Sequence, residues 1–325
     1  MKRTFTLFLA ATLVAIFSSA SAQQQSAQEL LWGAQVGWDR SALSQDILFR
    51  SESGDFVPGV RCATRTPFGW EQGLIDDVVA GGAALDAGMG PAAQSKKRTI
   101  PVAFHVFTSK QSDAFDVTDE QITEQLKVLN KAYKKHGYKF KLTQTNRVQS
   151  NRFARTCLEN QTEFVFKKKH AVDPANTLNI YSCRPTDGVL GYATFPSYYP
   201  EGSFMHGVVI SYATVPGGSA APYNLGDTLV HEVGHYVGLY HTFQSGCRSR
   251  GDEVDDTPSE LRPAFGCPKK RDSCAAAGKD PVTNFMDYSD DSCMVKFTPG
   301  QRARMDEQMS TFRPSLFGNG RFPGR

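Results

Sequence analysis

The chain lacks a charge excess, a long basic stripe and a membrane span, and each absence removes a class of function. Formal net charge is only +3 over 325 residues. The densest basic runs, Lys96-Lys97-Arg98 and Lys167-Lys168-Lys169, are three residues each, too short for the stripe that a phosphate backbone selects. Nucleic acid is therefore not an expected partner. Beyond the N-terminal segment, no apolar run approaches the ~20 residues that cross a bilayer. The C-terminus carries no hydrophobic tail of the kind a lipid anchor requires, so no stable membrane association is expected. Nothing in the pattern signals oligomerisation, and a monomer is the default expectation.

What is present points outward from the cell. Lys2 and Arg3 precede an apolar run from Phe5 to Phe17, and Ala20-Ser21-Ala22 has the small-x-small form of a cleavage site. The run is too short for a bilayer and reads as a secretory signal over residues 1–22, with the precursor starting near Gln23. Hydrophobic residues make up 40% of the chain, enough for a packed core. Secretion changes the meaning of the seven cysteines, Cys62, Cys157, Cys183, Cys247, Cys267, Cys274 and Cys293. In an oxidising compartment most should be bridged, and the odd count leaves one over. Cys62 stands alone in the N-terminal third and is the natural candidate.

Residues from about 23 to 98 differ from the rest. Ala80-Gly81-Gly82-Ala83-Ala84 and Gly88-Met89-Gly90-Pro91-Ala92-Ala93 are small-residue stretches that read as linker. The region ends at Lys96-Lys97-Arg98, an exposed-looking basic site of the kind proteases cut. The expected division is a signal peptide (1–22), a propeptide (23–98) and a catalytic domain (99–325). Ile100 to Phe107 has the β-branched and aromatic content of a strand. Thr118-Asp119-Glu120-Gln121 fits a capping box, and Ile122, Leu126, Leu129 and Tyr133 follow at helical spacing until Gly137 stops the run. Tyr138, Phe140 and Leu142 alternate as in a half-buried strand. Leu178 to Tyr181, Gly191 to Phe195 and Val208 to Ser211 are further short strands. Helices are predicted over about 227–237 and from Thr298-Pro299-Gly300-Gln301 onward, where the apolar stripe is Met305, Met309 and Phe312. There is no internal repeat. The fold class is α+β: sheet and helix first, then an irregular, cysteine-rich second half.

Three of the seven histidines fall within eleven residues, His231-Glu232-Val233-Gly234-His235-Tyr236-Val237-Gly238-Leu239-Tyr240-His241. On a helix His231 and His235 share a face one turn apart, so both reach one ion. Glu232 can then address the ion's open side rather than ligate it. On a continued helix His241 would lie roughly 9 Å beyond His235 along the axis, out of reach of a bond of about 2.0–2.1 Å. Gly238 resolves this, because glycine takes φ > 0 and can end the helix and turn the chain back. Three neutral histidines leave a fourth position for water, the open geometry of a catalytic zinc.

Through this motif the sequence resembles the metzincin metallopeptidases. It resembles the pappalysin family among them through Gly238-Leu239-Tyr240-His241-Thr242-Phe243, Gly246-Cys247 and Asp252-Glu253-Val254-Asp255-Asp256-Thr257-Pro258. Asn284-Phe285-Met286-Asp287-Tyr288, Ser289-Asp290-Asp291-Ser292-Cys293 and Phe297-Thr298-Pro299-Gly300-Gln301 extend the match. It is nearest to the small secreted microbial and fungal members. The resemblance covers roughly 99–317. It implies a zincin with a twisted mixed sheet, two main helices above the cleft, and a disulfide-stapled lower subdomain ending in a helix. It implies a Met-turn at Met286, an oxyanion-stabilising Tyr288, and bridges Cys247–Cys274 and Cys267–Cys293. Cys157 and Cys183 are then left to pair by elimination. A second zinc site at the four later cysteines is the competing reading, disfavoured by the lack of close Cys-x-x-Cys pairs.

The expected activity is a secreted endopeptidase that cleaves protein or peptide substrates by zinc-activated water, with Glu232 as general base. By resemblance, the substrate pairs with the edge strand Gly191 to Phe195. A non-proteolytic zinc amide hydrolase and an inactive binding module are the alternatives. Both are disfavoured by the presence of Glu232 and all three histidines. Cys62 has three readings: a latency switch on the metal's fourth position, a free or intermolecularly bridged thiol, or a bridge within the chain. The acidic loop has two. Asp252, Asp255, Asp256 and Thr257 hold calcium, as in some relatives, or the loop is simply solvated.

Overall fold

The computed structural model describes residues 45–67, 69–86, 98–248 and 251–317. The signal segment, Lys96-Lys97 and Gly88 to Ala93 lie outside the described residues. The chain divides into two compact units, Gly37–Arg65 with Lys97–Arg325 and Met1–Val36 with Thr66–Lys96. The second of these contributes helix α1, Gly69–Asp86. Here the linker reading of Ala80-Gly81-Gly82-Ala83-Ala84 is corrected. Two glycines lower helix propensity by about 1 kcal/mol each without ending a helix whose other positions favour it.

The larger unit is built on a five-stranded sheet of β3 (Arg98–Thr108), β4 (Tyr138–Gln149), β5 (Leu178–Cys183), β6 (Gly191–Ala193) and β7 (Val208–Ser211), in the order β4-β3-β5-β7-β6. All neighbours are parallel except β6, which runs antiparallel to β7. Residues 102–107 of β3 are buried, as the apolar run predicts for a central strand covered on both faces. Arg98, read as part of an exposed cutting site, is instead only 8% exposed. It starts β3, its Nη1 lies 3.0 Å from Asp306 Oδ1, and its guanidinium sits 3.6 Å from the Phe317 ring centroid. The stem and charge of Arg98 are both satisfied inside the fold.

Helix α2 (Asp119–Tyr133) has the reciprocal capping box between Thr118 and Gln121, and Ile122, Leu126, Leu129 and Tyr133 are buried. A short α3 (Asn151–Arg155) and α4 (Asn160–His170) follow β4. The helix α5 (Asp227–Tyr236) is buried along its whole length. The Tyr133 hydroxyl donates to Val230 O at 3.0 Å, tying α2 to α5. The last helix, α6 (Pro299–Phe312), repeats the capping box with Thr298 and Gln301. Among the described residues between α5 and α6 there are no strands and a single short 3-10 turn, Asp291–Cys293. Disulfides Cys247–Cys274 and Cys267–Cys293 lie in this half, and Cys157–Cys183 ties α3's end to β5. Closing loops of 26 or 27 residues is worth about 3–4 kcal/mol each in a chain-entropy account, which suits a region with little hydrogen-bond ladder.

A hairpin of β1 (Ile47–Arg50) and β2 (Phe56–Gly59) belongs to the same unit. The chain leaving it covers the open edge of β6. Val60 N donates to Gly188 O, Leu190 N to Val60 O and Ala63 N to Gly191 O, at 3.1, 2.9 and 2.9 Å.

Candidate active site

Helix α5 presents His231 and His235 on one face. Their Nε2 atoms are 3.1 Å apart. Gly238 has φ +103°, a left-handed value that ends the helix, and Leu239 N returns to Gly234 O at 2.9 Å. A Cβ at Gly238 would lie 2.5 Å from Gln308 Cβ, so both the turn and the packing of α6 need a glycine here. The turn brings His241 Nε2 to 3.0 Å from His235 Nε2. The ring orientations are held from behind: His231 Nδ1 donates to Phe285 O and His235 Nδ1 to Leu239 O, both at 2.7 Å. Such bonds fix the tautomer and aim the Nε2 lone pairs inward. Burial, then the neighbouring imidazoles, hold His231 and His241 well below the usual histidine pKa; burial lowers His235 to about 3. All three rings are therefore neutral, the form that ligates a metal.

Met286 is fully buried beneath the helix, where Gly234 leaves room for its sulfur; a Cβ on that glycine would overlap it. Tyr288 lies with its ring centroid 5.1 Å from His241 and 5.8 Å from His231. Burial raises its pKa well above 10, so the hydroxyl keeps its proton.

Cys62 is a free, buried thiol. Its Sγ and the ligand atoms of His231, His235 and His241 all lie within 4.8 Å of one another. Sequence reasoning missed two features beside it. The Thr64 hydroxyl donates to Glu232 Oε2 and accepts Ala193 N–H, both at 2.8 Å. The Glu232 carboxyl is wholly buried, and burial raises it to about 7 against the opposing hydrogen bonds from Thr64 and Cys62. Arg61 is also fully buried. Its Nη1 donates to Thr228 Oγ1 at 2.6 Å, its Nη2 lies 3.4 Å from Asp291 Oδ1, and its guanidinium stands 4.9 Å from the Tyr223 ring. Nothing in the sequence around Thr64 marked it, since its partner lies 168 residues away. Asp291 stood within a family motif without an assigned task.

The Nε2 lone pairs of His231 and His235, 3.1 Å apart, repel unless an electron acceptor lies between them. Tetrahedral zinc with bonds of about 2.0–2.1 Å holds its nitrogens about 3.3 Å apart, so the donor set fits zinc. The acidic-loop residues lie elsewhere. Asp252 and Thr257 are buried, whereas Asp255 and Asp256 are exposed, and Asp256 Oδ2 accepts Gly300 N–H at the start of α6.

The fold and this centre define a metallopeptidase of the metzincin class. A family model described as pregnancy-associated plasma protein-A matches residues 160–310. An extracellular metalloprotease of Colletotrichum graminicola is 40% identical over 257 residues, covering 78% of this chain and 90% of that protein. Extracellular metalloprotease 1 of Coccidioides posadasii is 42% identical over 218 residues, 66% of this chain and 78% of that protein. Among solved structures, mature mirolysin of Tannerella forsythia with a cleaved peptide aligns with TM-score 0.61 at 29% identity, over 68% of this chain and 96% of that one. A promirolysin variant from the same organism aligns with TM-score 0.64 at 26% identity, over 75% and 91%. The chain belongs to the pappalysin family and is a secreted zinc metalloendopeptidase.

Proposed function

We infer that His231, His235 and His241 hold the catalytic zinc, with Glu232 as general base and Tyr288 as oxyanion donor, and that the chain is made latent. The observation that carries this reading is the convergence of Cys62 Sγ on the three Nε2 atoms, with Thr64 on the Glu232 carboxylate. Zinc, when bound, supplies the Lewis acidity that activates water and polarises the scissile carbonyl. Glu232 accepts the proton of the attacking water and delivers it to the leaving amine. Tyr288 donates its hydroxyl to the oxyanion of the tetrahedral adduct. The substrate replaces residues 60–64 along the edge of β6, held by backbone hydrogen bonds. Residues 1–22 are then a signal peptide, the segment to about 97 a propeptide, and the rest the catalytic domain.

Latency acts twice in this reading: Cys62 would occupy the position beside the three histidines that water needs, and Thr64 caps the base. Cys62→Ala in the uncut chain should raise peptide cleavage about tenfold or more, equivalent to roughly 1.4 kcal/mol of lost occlusion, with Thr64 keeping it below the processed enzyme. Initial rates and N-terminal sequencing of the active species check this. An uncut variant as silent as wild type, together with an active species still carrying Cys62, would reject the switch.

Arg61 also suggests a substrate preference. It fills a pocket beside the metal with a carboxylate at its base, so a basic side chain next to the scissile bond is the favoured occupant.

Calcium is the reading of the acidic loop that one buried carboxyl–hydroxyl pair supports. The Asp252 and Thr257 side chains are buried against each other, and burial raises the Asp252 carboxyl to about 7 against the hydrogen bonds from Val254 N–H and Thr257. A hard cation would satisfy both, whereas the solvated Asp255 and Asp256 are not needed. Millimolar calcium should raise the melting temperature of the wild type but not of Asp252→Asn. An equal response in the two proteins sinks the assignment.

A further inference from the structure

Beside the His235 ring lies a run of buried aromatic rings. Phe195 lies 5.3 Å from the His235 ring, and Tyr198 and Tyr240 each lie 5.2 Å from Phe195. These rings form a small apolar cluster separate from the main core. Arg65, three residues beyond Cys62, covers it. Its guanidinium carbon stands 5.0 Å from the Tyr198 centroid, and its carbonyl accepts the Tyr198 hydroxyl. The covering segment thus sets a cation on each side of Cys62 along the chain: Arg61 against a carboxylate, Arg65 against a ring.

A flat cation over a phenol face is attracted by the ring quadrupole, and Arg satisfies this better than a compact ammonium. The same tyrosine holds a backbone carbonyl, so it registers the chain as well as the side chain. Nothing in the catalytic reading uses Tyr198.

We propose that Tyr198, backed by Phe195, is a second specificity subsite, which accepts a planar cationic side chain of the substrate distinct from the one that the Asp291 pocket takes. This rests on the reading that residues 60–65 lie where substrate binds.

The test uses the processed full enzyme and peptides that all carry Arg next to the scissile bond on the Asp291 side. Positions two to four residues away on the other side are varied among Arg, Lys, Leu and Ala. At one of these positions wild type should favour Arg over Ala by about five- to tenfold in kcat/KM, the size of a partly desolvated cation–π contact, with Lys weaker. Tyr198→Leu should reduce that ratio to within about twofold while keeping the preference at the Asp291 side. Tyr198→Phe should keep the ratio and lower all peptides alike, through loss of the carbonyl contact, and it remains readable if the Leu variant does not fold. No Arg preference at any far-side position, or a preference that survives Tyr198→Leu, overturns the proposal. So does its loss in Tyr198→Phe. Failure of the Asp291 pocket would show separately, as indifference to Arg beside the scissile bond with the far-side ratio unaffected.

Discussion

Glu232→Ala should lower kcat for peptide cleavage by about 10²- to 10⁴-fold, the range for loss of a positioned general base, while zinc content stays at one per chain. The separation of the two effects is the point. The three Nε2 atoms and the carbonyls behind His231 and His235 are supplied without any Glu232 atom, so the metal site should survive. Stability should survive too. The carboxyl is wholly buried and burial raises it toward 7, a group that favours its neutral form and adds little to folding when ionised. Glu232→Asp separates position from chemistry. It keeps the base but withdraws it by one methylene, and a misplacement of about 1 Å costs on the order of 10²-fold. The measurements are single-substrate kinetics and metal analysis on the same samples. An alanine variant that cleaves at the wild-type rate, or one that loses zinc together with activity, is incompatible with the role given to Glu232.

The parts of this molecule that could be read from its sequence are those set by short-range geometry. Thr118 with Gln121 and Thr298 with Gln301 are three residues apart, and both boxes form. Gly238 is flanked by the chain it must turn, and its φ of +103° lies in the positive range that a turn between His235 and His241 uses. The five sheet strands followed from runs of β-branched and aromatic residues. What escaped was weakly patterned or distant. Helix α4 carries Phe164, Val165 and Phe166 amid lysines, with no clean 3.6-residue stripe, and α1 contains a glycine pair. The contacts that give the cleft its character are sequence-remote. Arg61 meets Thr228 across 167 residues, and Thr64 meets Glu232 across 168. No local period encodes such pairs. Arg98 misled for a related reason: three basic residues look solvated in a string, and only the fold reveals Asp306 and Phe317 waiting for one of them.

Asp291→Asn should cut kcat/KM for peptides with Arg next to the scissile bond by roughly 10²- to 10³-fold, from the ~3–4 kcal/mol lost when one partner of a buried ion pair is removed. Peptides with Ala or Leu at that position should change little. The asymmetry follows from what the pocket already contains. Asp291 Oδ2 accepts the backbone N–H of Leu225 at 2.9 Å and of Asp227 at 3.3 Å, at the start of α5. It is therefore fixed by the same helix that carries the metal ligands. Asp227 is a second buried carboxyl there, raised to about 8 by burial and then by the Asp291 charge, while the Arg61 cation acts to lower it. When residues 60–64 leave, two acids remain without that cation. An arriving guanidinium restores it and bonds Thr228 as well, as Arg61 does at 2.6 Å. Arg should therefore be preferred over Lys, whose ammonium cannot fork between the hydroxyl and the carboxylate. Asn keeps the shape and an acceptor for the α5 N–H groups, so a loss confined to basic peptides reports charge rather than misfolding. An unchanged Arg-to-Ala ratio in Asp291→Asn would mean that Arg61 marks only a packing site of the precursor.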